Sequence, residues 1–173
     1  MNSNPHLWQE AASFAARAHR YQLRKDGVTP YVAHPARVAL TIACVFGFND
    51  EAILAAALLH DTIEDCGTDY DEILQAFGRQ VADVVAVMTK DMRLEEDERE
   101  KAYDEQLANG PWQGRLLKLA DVYDNLLSTW DAKSRKKQLE KAKRAIKLTA
   151  NDRQLTGARR ILQGLVKKMT KGR

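Results

Sequence analysis

Apolar residues recur along this chain at helical rather than strand spacing. Leu7, Ala11, Phe14, Ala15 and Ala18 follow a 3.6-residue period, predicting a first helix opened by Pro5 and running to about Tyr21. Arg24 to Tyr31 holds the breakers Gly27 and Pro30 and reads as an irregular loop. A second helix is expected from His34-Pro35, where proline suits the first turn, to Phe46 before Gly47. Asn49 or Asp50 can cap a third over Glu51 to Glu64, whose first half is an alanine-rich apolar run. After a turn at Cys66-Gly67-Thr68, Tyr70 to Phe77 predicts a short helix closed by Gly78, and Val81, Val84, Val85 and Met88 mark another ending near Thr89. Leu94 to Ala108 is highly charged and predicts an exposed, mobile helix. Trp112 to Trp130 is apolar nearly all round, so a central buried helix is expected there. Two more helices, about Ser134 to Leu148 and Asp152 to Met169, carry docking stripes that include Ile146, Leu155, Leu162 and Val166. With no convincing strand and no repeat, the expected fold class is all-α. It is expected as a bundle of about eight to nine helices in one domain over residues 1–173, with a core at about 5–131 and a helical extension over 132–173.

Composition changes this picture in two places. No apolar run approaches 18 residues and the N-terminus lacks a signal-peptide core, so no membrane association is expected and a cytoplasmic location is. Cys44 and Cys66 form no evident disulfide framework, which suits a reducing compartment; Cys44 reads as a small buried hydrophobe, and Cys66 as incidental rather than a ligand. The net charge of +3 conceals a split, because 15 of the 27 Lys and Arg fall in residues 132–173 against only Glu140 and Asp152. A basic tail on an acidic body can pack on that body, meet a phosphorylated ligand or meet nucleic acid.

The chemistry gathers at His60, Asp61, Glu64 and Asp65, at the end of the apolar third helix, where His60/Glu64 and Asp61/Asp65 are i,i+4 pairs on a continuous helix. Carboxylates ending a buried stripe need partners, and a divalent metal is one. His34, His60, Asp61 and Asp121, from three helices, offer two imidazoles and two carboxylates, a set suited to Mn²⁺ with other divalent ions possible. Water activated at such a site is a nucleophile at neutral pH, and Glu64 and Asp65 can orient it or take its proton.

The order His34, His60-Asp61, Asp121 resembles the HD superfamily of metal-dependent phosphohydrolases. More closely, the chain resembles the hydrolase domain of RelA/SpoT proteins and the stand-alone small alarmone hydrolases of the metazoan SpoT-homologue type. The matching pieces are Arg24-Lys25-Asp26-Gly27, Thr29-Pro30-Tyr31, His34-Pro35, Ala57 through Asp65, Phe77-Gly78, Met88-Thr89-Lys90, and Lys118-Leu119-Ala120-Asp121 with Asn125. The resemblance covers about residues 8–130. It implies an HD-domain helical bundle, with His34, His60, Asp61 and Asp121 on the metal and Glu64 and Asp65 at the attacking water. It further implies Arg24, Lys25 and Asn125 on the nucleotide, with Lys90 and Lys118 as further phosphate or supporting groups. The implied reaction is hydrolysis of the 3′-pyrophosphate of ppGpp or pppGpp to GDP or GTP and pyrophosphate, so the expected partner is a guanine nucleotide alarmone. Two positions depart from the pattern. Asp26 replaces a serine common beside the Arg-Lys pair, and Asp124 replaces the His or Tyr that more often precedes the Asn.

Other readings remain open at this level. The same scaffold serves phosphohydrolases acting on an adenine alarmone, NADPH or a nucleoside monophosphate. A two-metal phosphodiesterase is disfavoured, since only His6 and His19 remain as further histidines. A non-catalytic nucleotide- or RNA-binding module would use the basic tail as its footprint, but that tail lacks interleaved aromatics for stacking. The oligomeric state is not legible.

Overall fold

A computed structural model describes residues 6–171, which fold into ten α-helices with one π turn, one short 3₁₀ turn and an isolated β-bridge. The helices are α1 (Leu7–Ala18), α2 (Ala33–Leu40), α3 (Glu51–Leu59), α4 (Thr62–Asp65), α5 (Tyr70–Phe77), α6 (Arg79–Met88), α7 (Glu96–Asn109), α8 (Trp112–Leu127), α9 (Ala132–Leu148) and α10 (Thr156–Lys171). Pro5, expected to open α1, lies outside the described residues.

The core is built around α3 and α8. Ala55, Ala56, Ala57, Leu58 and Leu59 are buried on every side of α3. Their small side chains allow close approach by α1, which presents Ala11 and Ala15, and by α2 and α6. On α8, Leu116, Leu117, Leu119, Ala120, Val122 and Leu126 are buried together, as its nearly uniform apolar sequence predicts. The basic C-terminal helices belong to this body: α9 packs Ala142 and Ala145, and α10 packs Ala158 and Leu162, with α8 as the shared neighbour. Arg115 of α8 ties them in, donating to both oxygens of Asp152 at 2.7 and 2.8 Å and to the carbonyls of Leu107 and Gly110 that end α7.

Expectations for the second helix, the third helix and Cys44 need correction. The helix expected over Glu51 to Glu64 breaks at His60–Asp61, where α3 stops and the single turn of α4 starts. The Asp61/Asp65 i,i+4 relation survives, the Asp65 amide bonding the Asp61 carbonyl at 2.9 Å as α4 opens, whereas His60 stands ahead of that turn. The helix expected over His34 to Phe46 gives way to a π turn over Thr41–Val45; this keeps Thr41 and Ile42 in the core and leaves Cys44 exposed rather than buried. The Arg24–Tyr31 loop is tightly pinned. Leu23 and Pro30 form the bridge, Gly27 takes φ +74°, and Asp26 accepts from the Val28 and Thr29 amides at 3.0 and 2.9 Å. Its Thr29 bonds hold the Asp26 carboxyl down at about 2, so this departure from the family pattern serves the loop itself. The charged α7 also buries Tyr103 and Leu107.

Candidate active site

Three elements converge on a buried polar cluster. The first turn of α2 places His34 in the interior because Pro35, Val38 and Ala39 on the same helix are also buried. The break after α3 turns His60 and Asp61 toward it, and the middle of α8 supplies Asp121. His34, His60 and Asp121 each bring a ligand atom within 4.8 Å of the other two. Asp61 flanks both imidazoles with separate oxygens, Oδ1 at 3.2 Å from His60 Nε2 and Oδ2 at 3.7 Å from His34 Nε2. All four residues expected from sequence to share a metal are thus neighbours.

The hydrogen bonds around the cluster decide which atoms are available. His60 Nδ1 lies 2.8 Å from the Ala57 carbonyl, which can only accept, so Nδ1 carries the proton and Nε2 presents a lone pair. That Nε2 is buried and has no hydrogen-bond partner. His34 Nδ1 sits 2.7 Å from Asp124 Oδ2, which likewise directs Nε2 inward, 3.3 Å from Asp121 Oδ1. Lys118 donates to Asp121 Oδ2 at 2.9 Å, Asn125 donates to Oδ1, and the Tyr31 hydroxyl donates to Asp61 Oδ2 at 2.8 Å. Two inward-facing imidazole nitrogens and two oriented carboxylates form a donor set that fits a divalent cation.

Electrostatics agree with that fit. Burial works against the His34 cation, yet hydrogen bonds to Asp121 and Asp124 outweigh it and push its pKa up to about 9. Burial also opposes ionisation of Asp121, but Lys118 and His34 hold its carboxyl well below the usual range. The cluster therefore stabilises positive charge at its centre, as a proton on His34 Nε2 that a bound cation would displace. Glu64 and Asp65 sit beside it with pKa values raised, first by burial and then, among the charges nearby, by Asp61. Glu64 Oε2 accepts the Lys90 amide at 3.0 Å.

A cleft of about 500 Å³ opens beside the cluster, lined by Arg24, Lys25, Tyr31, Arg37, Asn125 and Lys141 among others. Arg24 lies over the Tyr31 ring at 5.5 Å and donates to Asn125 Oδ1 at 3.3 Å. Of the substrate groups expected from sequence, Arg24, Lys25 and Asn125 line this cleft. Lys90 and Lys118 instead border a void of about 20 Å³ around Tyr103, where Lys90 pairs with Glu100 and Lys118 with Asp121. Sequence reasoning gave no role to four residues of the site and its cleft: Tyr31, Arg37, Asp124 and Lys141. Asp124 is buried at 4% exposure and is gripped by Arg37 at 2.6 and 3.1 Å while it holds His34. The signal was present, since a second carboxylate inside a helix apolar nearly all round asks for partners as Asp121 does.

A family model described as HD domain matches residues 11–168. Guanosine-3′,5′-bis(diphosphate) 3′-pyrophosphohydrolase MESH1 of Xenopus tropicalis is 42% identical over 127 residues, 73% of this chain and 71% of that protein. The protein of the same name from Homo sapiens is 46% identical over 68% of this chain and 66% of its own length. Among solved structures, a metazoan orthologue of SpoT, described as hydrolysing ppGpp, superposes with a TM-score of 0.83 at 28% identity, covering 97% of this chain and 98% of that one.

Proposed function

This chain belongs to the HD domain family and is a phosphohydrolase, and we propose that it hydrolyses guanosine 3′,5′-bis(diphosphate) at the 3′-pyrophosphate with a divalent metal, Mn²⁺ suiting the donors best. The observation that carries this reading is the convergence of His34, His60, Asp61 and Asp121 beside a cleft lined by Arg24, Lys25 and Asn125. These four residues would hold the ion. When bound, it supplies Lewis acidity to a phosphoryl oxygen and lowers the pKa of water.

The chain's own groups do the rest. Arg24 and Lys25 meet the nucleotide, the guanidinium already positioned by Tyr31 and Asn125. Glu64 and Asp65, with raised pKa values, stand at the attacking water, one taking its proton while the other orients it. The water oxygen bonds to the phosphorus attached to ribose O3′, the phosphorus–O3′ bond breaks, and O3′ takes a proton, giving GDP and pyrophosphate. Lys118 and Asn125 hold Asp121, and Tyr31 holds Asp61, so the ligands are fixed before substrate arrives.

Residues 1–173 act together as one catalytic domain, α9 and α10 included, a reading supported by the family match reaching residue 168. Among the described residues no helix is long and apolar enough to cross a membrane, and a reducing cytoplasm suits the two free cysteines. The test is pyrophosphate release from ppGpp with Mn²⁺, alongside Asp61→Ala and a chelated sample. Release by the native protein, abolished in both controls, is expected. No release from metal-loaded protein would move the assignment to another nucleotide.

A further inference from the structure

The cations around the cleft divide into two groups. Arg37 is neutralised by Asp124, Lys118 by Asp121, Lys90 by Glu100, and Arg144 by Glu100 and Asp104. Among the described residues, three cations lining the cleft make no salt bridge: Arg24, Lys25 and Lys141. The first two belong to the nucleotide-binding loop. Lys141 stands on α9, in the basic segment with no assigned part in the reaction, and reaches the same cleft.

Lys141 is half-buried, and it also borders the small void that holds Lys90 and Lys118. Burial and those two neighbouring ammonium groups press its pKa down; Asp121 and Glu100 act in the other direction, but Asp121 is bonded to Lys118 and Glu100 is shared by Lys90 and Arg144. A partly desolvated ammonium without a carboxylate is costly unless a ligand supplies the anion. One turn earlier on the same face, Gln138 also lines the cleft, and its side-chain Oε1 is buried without a hydrogen-bond partner. Lys141 is thus the donor on this face of α9 that an anion in the cleft can meet, whereas Gln138 Oε1 is an acceptor and calls for a donor instead.

We infer that Lys141 binds a phosphate group of the nucleotide substrate, making α9 a specificity-determining wall that favours polyphosphorylated ligands. This rests on the function proposed above. An ammonium–phosphate contact here is a charge-assisted hydrogen bond, worth roughly 10- to 100-fold in affinity.

The experiment compares native protein with Lys141→Met, Lys141→Arg and, for charge alone, Lys147→Met on the exposed side of α9. KM and kcat for ppGpp are measured over a salt series, and inorganic pyrophosphate binding to the metal-loaded proteins is measured by calorimetry. Circular dichroism establishes that each variant is folded. The expected result is a KM raised roughly 10- to 100-fold in Lys141→Met with kcat nearly unchanged, a shallower salt dependence, weaker pyrophosphate binding, and recovery in Lys141→Arg. Lys147→Met should match native protein. Equal KM and equal pyrophosphate affinity in folded Lys141→Met would overturn the inference, as would an equal loss in Lys147→Met or native protein that binds no pyrophosphate. Absence of ppGpp turnover by native protein would instead defeat the proposed function. A pyrophosphate affinity lowered only in Lys141→Met would then still sustain the anion site.

Discussion

Asp124 shows how much a single side chain can organise without touching the reacting atoms. Its two oxygens bind His34 Nδ1 and the Arg37 guanidinium, so one carboxylate orients an inward-facing imidazole and anchors a cation in the cleft. Asp124→Ala is expected to weaken divalent-metal binding about 10- to 100-fold and, by stranding a buried imidazole N–H, to cost about 1–3 kcal/mol of stability. Metal titration and denaturant unfolding check both. Arg37→Ala, which leaves the His34–Asp124 bond in place, should retain metal. Similar metal loss in the two variants would assign the effect to the guanidinium rather than to imidazole orientation. The proximity of His34, His60, Asp61 and Asp121 could be expected from the sequence because each stands beside apolar residues, where an ionisable group needs a reason. Arg37 was not, since an arginine on a helix beside small residues reads as surface until its partner is known.

At the scale of elements, close approach between α6 and the start of α8 depends on glycine. A Cβ at Gly110 or Gly114 would land within the van der Waals surface of Val87, whose side chain is buried between these helices. Gly114→Ala should therefore destabilise the protein by about 1–3 kcal/mol through overpacking, despite alanine's better helix propensity. Thermal or urea unfolding reads this, and a stabilised Gly114→Ala would show that Val87 can shift freely. Element types followed from periodicity, but several boundaries did not. The break at His60–Asp61 has no glycine or proline to announce it; its cause is tertiary, since both side chains turn toward His34 and Asp121 from another part of the chain. The π turn at Thr41–Val45 is equally silent in the hydrophobic pattern.

For the whole molecule, the charge asymmetry resolves into attachment. Arg144 binds Glu100 and Asp104 of α7, and Arg115 binds Asp152, so basic and acidic segments neutralise one another where they meet. Removal of residues 132–173 would expose the α8 face covered by α9 and α10. Burial of Leu155 and Leu162 alone contributes roughly 3–6 kcal/mol, comparable to the net stability of a domain, about 5–15 kcal/mol. The truncated chain should therefore lose cooperative unfolding and activity together, as circular dichroism and pyrophosphate release would report. A folded, fully active truncation would mean that α9 contributes neither stability nor a wall to the cleft.

The sequence by itself determined the all-α class, the helical faces and the identity of the ionisable groups set among apolar ones. Those properties depend on local periodicity and on the cost of burying charge, which neighbours in sequence already express. Only the tertiary structure decided which cations are consumed internally and which remain for a ligand. Lys90 and Lys118 look as available in sequence as Lys25 or Lys141, yet Glu100 and Asp121 neutralise the first two and leave the others open to the cleft. Pairing depends on distances between helices far apart in the chain, and no local pattern encodes those distances.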